Sequence, residues 1–234
     1  MMFRFHNCKQ CSPARFAVAV TIVIFFVAKS VRANATTQLN TENNDGQMAM
    51  QMKLLPVLKS AGKAGRLYFD SACSERNEIS WHFPRIISPS PPGDNALPVE
   101  IREIFKHNAN VSVLERPHGV VRIRIGKIVS SVLQTRISEV IFNRYEQYNP
   151  SLAINAVMST EEVLVSLQKL RMRTPPRVSN VIIVEPRDGL PHLPAAMRFL
   201  TVDDALDEIA KTFDGIVIYS TCKKNGWYWI DFVG

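Results

Sequence analysis

The chain has 234 residues, 46% of them hydrophobic, with 28 Lys and Arg against 21 Asp and Glu. Five of the bases and none of the acids fall in the first 35 residues, so the remainder carries a net charge of only about +2. That near-balance removes bulk charge as an argument for a nucleic-acid partner, and the length suits one medium domain or two small ones.

Arg4, Lys9 and Arg15 precede the apolar run from Phe16 to Ala28, which only Thr21 interrupts, and Ala33-Asn34-Ala35 follows. A basic start, a short apolar stretch and an A-x-A site predict a secretory signal peptide over 1–35, cut after Ala35. The run is shorter than the roughly 20 residues that a spanning helix needs. The alternative is an uncleaved anchor, flanked by Lys29 and Arg32. Cys8 and Cys11 are spaced as CxxC but belong to this leader, so they carry no metal or redox expectation. Processing leaves Cys73 and Cys222. Two cysteines in an oxidising compartment predict a disulfide, against the alternative of two free thiols.

Residues 36–65 are polar and rich in Asn and Gln at first, which predicts a flexible leader; "MAMQMKLLPVLKSAG" within it suits a short helix broken by Pro56. A first β-α-β-β unit is expected over 66–145. Its leading strand is "EISWHF", its helix follows Pro98 with Ile101, Ile104 and Phe105 on one face, and its hairpin is "NVSVLE", a turn at "RPHG", and "VVRIRIG". "SPSPPGDNALP" reads as an internal loop. Ile137 to Phe142 reads as a strand. A helical connector over 146–178 holds a short helix from Ser151 to Met158 and a second one opened by a Ser159/Glu162 capping box. A break at Thr174 to Ser179 separates it from a second unit over 179–234. "NVIIVEP" and "AAMRFL" suit strands there. Thr201 caps a helix whose apolar face is Val202, Ala205, Leu206, Ile209, Ala210 and Phe213, and Gly215 stops it. "IVIYST" and "WYWIDFV" then flank an Asn225-Gly226 turn. The fold class expected is therefore α+β, two β-α-β-β units with a helical middle segment.

Residues suited to chemistry are scattered. No GxSxG, HExxH or phosphate-binding loop occurs, and His82, His107, His118 and His192 follow no zinc spacing. No catalytic residue, metal site or cofactor is expected. Asp203 and Asp204 suit the positive end of a helix. Asp207 and Glu208 lie off the apolar face, which predicts solvated side chains and a pairing of Asp207 with Lys211. In the final strand Trp227 and Trp229 share one side. They are expected either in core packing or, with Arg122 and Arg124 of the first hairpin, as the surface that meets a partner.

The closing unit resembles the short N-terminal module of secretins and TonB-dependent receptors. Val202, Ala205, Leu206, Ile209, Ala210, Gly215, Ile216, Ile218 and Tyr219 stand at that family's apolar and small positions. The first unit matches less well, with Ile101 and Phe105 where the family has smaller residues. The resemblance implies a periplasmic interaction module, although no barrel, plug or pore sequence follows it here. The function expected is an exported, periplasmic or secreted adaptor that binds an envelope protein in secretion, assembly or signalling, with no nucleic acid and no membrane contact beyond the leader. The alternatives are an envelope hydrolase with its site between the units, and an inhibitor or toxin-like effector that uses the last hairpin as a wedge.

Overall fold

The stretch Ala64–Asp70 has no polar alternation, and six of its seven residues are buried. Such a strand needs cover on both faces, and it gets it. In the computed structural model, which describes residues 46, 48–70, 83–88, 96–126, 130–174, 183–222 and 226–234, this strand (β1) is the middle of a five-stranded sheet. All of these residues belong to one compact unit, Glu42–Gly234.

The chain reaches β1 through a π-helical turn, Met50–Leu54, and the short helix α1, Leu55–Ser60, with Pro56 in its first turn. The flexible leader expected over 36–65 is corrected here for its second half: Met50, Leu54, Leu55, Val57 and Leu58 are buried against the sheet. The expected short helix forms. Pro56 sits in a helical first turn, where its missing N–H costs nothing.

Both expected helix-and-hairpin segments form. Helix α2, Leu97–Ile104, leads into β2, Val111–Glu115, and β3, Val120–Ile125. Helix α6, Val202–Thr212, leads into β6, Ile216–Cys222, and β7, Trp227–Val233. The strand order is β2-β3-β1-β6-β7. β3 and β6 run parallel to β1, and each hairpin is antiparallel. The fold is thus mixed α and β, with six α-helices and two sheets among the described residues.

The two segments share one sheet and differ in their leading strands. For the first, the strand that joins the sheet is β1, at the 65/66 boundary between expected leader and expected unit. "EISWHF" lies outside the described residues except for Phe83, which is in no strand. For the second, the expected "AAMRFL" forms β5, Ala196–Thr201, which pairs with β4, Arg136–Ile141, in a separate two-stranded ribbon. The hairpins also meet β1 differently: the second strand of one and the first strand of the other.

The middle segment supplies a 3₁₀ turn, Ser131–Gln134, and helices α3, Arg144–Tyr148, α4, Pro150–Met158, and α5, Glu161–Lys169. A reciprocal capping box opens α3, between Asn143 and Glu146. The Ser159/Glu162 box does not form. Thr160 is the N-cap of α5, and Glu162 accepts the Ser138 N–H instead. The strand expected at "NVIIVEP" is also absent where it is described: 183–187 has no regular structure, and Ile183 and Val184 are exposed.

Two apolar clusters cover the two faces of the sheet. On one, Leu67, Phe69, Val121, Ile123, Ile216, Ile218 and Trp229 meet α1 and α2. On the other, Tyr68, Val120, Val217, Tyr219, Tyr228 and Ile230 meet α4, α5, α6 and the β4–β5 ribbon. Each large side chain buried this way contributes about 1.5–3 kcal/mol. No helix among the described residues is long and apolar enough to cross a membrane.

Candidate functional site

The four residues expected at a contact surface stand on opposite faces of the sheet. Trp229 is 5% exposed and packs edge-on against Phe83, centroids 5.3 Å apart. Trp227, beside it, is half-buried under the Arg173 guanidinium, 4.2 Å from its ring centroid. Trp229 is thus part of the core, and Trp227 is half-buried against it. Arg122 and Arg124 project from the other face, and only Arg124 is exposed. The described histidines form no cluster that suits a metal ion. His107 and His118 are exposed, and His192 stacks on Tyr148 and contacts the Leu190 carbonyl. His82 lies outside the described residues. So does Cys73, while Cys222 is buried at the end of β6. No grouping of His, Cys, Asp and Glu among the described residues suits a metal ion.

The strongest charge cluster was not expected. Arg66 of β1 and Arg122 of β3 are register partners on one face, and the first two turns of α6 lie over them. Asp207, 9% exposed, is corrected from a solvated residue to a buried one. Its carboxylate accepts from Arg66 Nη1 at 3.2 Å and from Arg122 Nε at 2.9 Å. Asp203 bridges the same two arginines, at 3.1 Å to Arg66 and 2.6 Å to Arg122. Asp204 takes Arg122 at 3.2 Å and Arg116 at 3.8 Å. Burial pulls the Arg66 guanidinium below its usual range. Burial likewise pushes Asp207 up, against the arginines that favour its charge. Asp204 is held below the usual carboxylate value: burial raises it, and hydrogen bonds from Thr201 outweigh that. Three cations face three carboxylates, so the group is self-neutralising and ties α6 to the sheet. One buried donor, Arg66 Nε, has no partner among the described residues.

A second polar group sits where β1 and β6 end, the end of parallel strands at which α/β folds place ligands. Tyr68 donates to Asp70 Oδ1 at 2.7 Å, and Thr221 donates to the same oxygen at 2.9 Å. Burial raises the Tyr68 phenol well above its usual value, so it remains a donor. Tyr219, stacked on Tyr68 at 5.9 Å, is raised by burial too and pairs with Ser130. Both hydroxyls near Asp70 are spent on it, which suits a strand-end clamp.

The surface offers two features with unmet demand. The first is the outer edge of β2. Bonds from Arg116 N–H to Val120 and from Gly126 N–H to Asn110 set the ladder phase. Ser112 and Leu114 therefore bond to β3, while Val111, Val113 and Glu115 turn their N–H and C=O outward. No described strand lies beyond them. The second is a shallow groove of about 480 Å³ along the β4–β5 ribbon, lined by Arg136, Ile137, Ser138, Phe199, Leu200, Thr201 and Asp204. Neither was singled out from sequence. The edge depends on strand order, and the groove depends on a backbone conformation that no residue type announces. No family model matches the chain, and neither a curated protein nor a solved structure is similar to it.

Proposed function

We propose that this chain is an exported envelope protein, periplasmic or secreted, that acts as a protein-interaction adaptor in secretion, assembly or signalling and takes up its partner by strand addition at β2. The observation that carries this reading is the unequal treatment of the two sheet edges. At β7, Arg173 forms a parallel bridge to Trp227, with bonds from Arg173 N–H to Gly226 and from Tyr228 N–H to Arg173. At β2 the outward groups of Val111, Val113 and Glu115 meet no described strand. Proteins usually blunt such an edge with Pro, Lys or a bulge. "VSVLE" has none of these, and Glu115 is its single charge. An edge left open in this way is a template for an extended peptide, with backbone bonds giving affinity. The resemblance of Thr201–Gly234 to the secretin and receptor module points to the same class of work, and the leader over 1–35 supports export.

Val113→Pro tests it. The Val113 N–H faces outward, so proline removes a donor that the β2–β3 ladder does not use. The tagged protein is expressed with its leader, cross-linked in cells and purified from the envelope fraction, with Thr36 expected at its N-terminus. A partner recovered with the unaltered chain and lost with Val113→Pro, at an unchanged melting temperature, supports strand addition. Equal recovery of that partner counts against it.

A further inference from the structure

The β4–β5 ribbon carries a fault in its alternation, and the fault exposes an aromatic side chain. At one end Val202 N–H bonds to Thr135, and at the other Phe142 N–H bonds to Ala195. The register has the same offset on both sides of a gap at Ser138 and Phe199, so the ladder changes phase there. The change falls at Ser138 and Glu139 opposite Arg198 and Phe199: Ile137 and Val140 are both buried although they are three residues apart. Phe199 absorbs the change with φ +54°, a left-handed backbone that bulky residues avoid and that Asn or Gly enters more readily. Phe199 is 89% exposed. Geometry accounts for the bend, but it does not account for an aromatic residue there. Strained residues with exposed side chains cluster at binding sites.

The groove beside this ring has a definite electrostatic character. Asp204 is already held by Arg122, Arg116 and the Thr201 hydroxyl. Arg198 is paired with Glu139 at 2.5 Å. Arg136 is exposed and has no carboxylate partner among the described residues. The lining therefore presents one unmatched cation together with an exposed aromatic residue and the half-buried Leu200.

We infer that the β4–β5 groove is a second binding surface, which takes a segment of a partner protein carrying an apolar side chain next to a carboxylate, the apolar group against Phe199 and the carboxylate on Arg136. No groove residue lies in β2, so this surface stands or falls separately from strand addition.

The test is amide-resolved NMR of the labelled protein titrated with a synthetic peptide of alternating leucine and aspartate, and with the same peptide carrying lysine for aspartate. The acidic peptide is expected to shift Ser138, Phe199 and Leu200, and the basic one to leave them unmoved. Phe199→Asn is expected to weaken binding by about tenfold or more, while raising the melting temperature by about 2–4 °C as the left-handed residue is eased. Arg136→Glu should reverse the preference between the peptides. Four results would overturn the inference: no shift with the acidic peptide, equal shifts with both, a Phe199→Asn variant that binds as well or melts lower, or concentration-dependent shifts without peptide, which would give this face to a second copy of the chain.

Discussion

Asp207 shows how far a single residue's environment departs from what its position on a helix suggests. A helical wheel places it away from the apolar stripe, but the stripe meets a sheet row that contains Arg66 and Arg122, and the carboxylate ends up between them. Breaking a buried pair leaves one charge uncompensated, at a cost of about 3–5 kcal/mol. Asp203 still holds both arginines, so Asp207→Asn should lower stability by the low end of that range in chemical denaturation. Replacing both partners, Arg66→Met with Asp207→Leu, should cost less than either single change, since apolar groups of similar size remove the desolvation penalty along with the attraction. The clue in the sequence was an arginine inside each of two strands whose neighbours are otherwise apolar. It becomes decisive only when β1 and β3 are known to lie side by side.

At the scale of elements, the hairpins and α6 were legible because each carries a local signal: alternation, turn residues, and a stripe repeating every three to four positions. β1 carried none. It is buried on both sides, and it includes Gly65, where an added Cβ would meet Leu58 Cδ1 at 2.6 Å. Strand-like composition misled in the opposite direction at Ile183 and Val184, which are exposed and in no strand. Gly215 shows a residue correctly noticed for a different reason. The left-handed residue after α6 is Asp214, with φ +47°. Gly215 is needed because β7 passes so close that an added Cβ would lie 2.6 Å from the Val233 carbonyl oxygen. Gly215→Ala should cost about 1–3 kcal/mol through this overlap. Hydrogen exchange should show the loss concentrated in Ile216 and Val233, with α2 unaffected.

For the whole molecule, β1 is the common wall of both hairpins, and the bridge expected between Cys73 and Cys222 would reinforce it. Asp70 and Thr221 are register partners, Cys222 directly follows Thr221, and Cys73 comes three residues after Asp70. Closing a loop of about 150 residues is worth on the order of 4–5 kcal/mol in the chain-entropy model, before strain is subtracted. With the proposed bridge formed, the protein should be lighter by two hydrogen masses than its reduced form, and reduction or Cys222→Ser should lower its denaturation midpoint. An unchanged midpoint on reduction would exclude the bridge. The shared sheet was not legible in the sequence because parallel pairing between distant strands leaves no trace in local pattern. The same pairing governs the order of events during synthesis. β1 emerges early, but its β6 neighbour is translated far later, so one flank of the central strand has nothing to zip onto in the interim. Contacts this remote form slowly and invite pairing with the wrong chain. A nascent chain of this design profits from anything that delays pairing until β6 has been made.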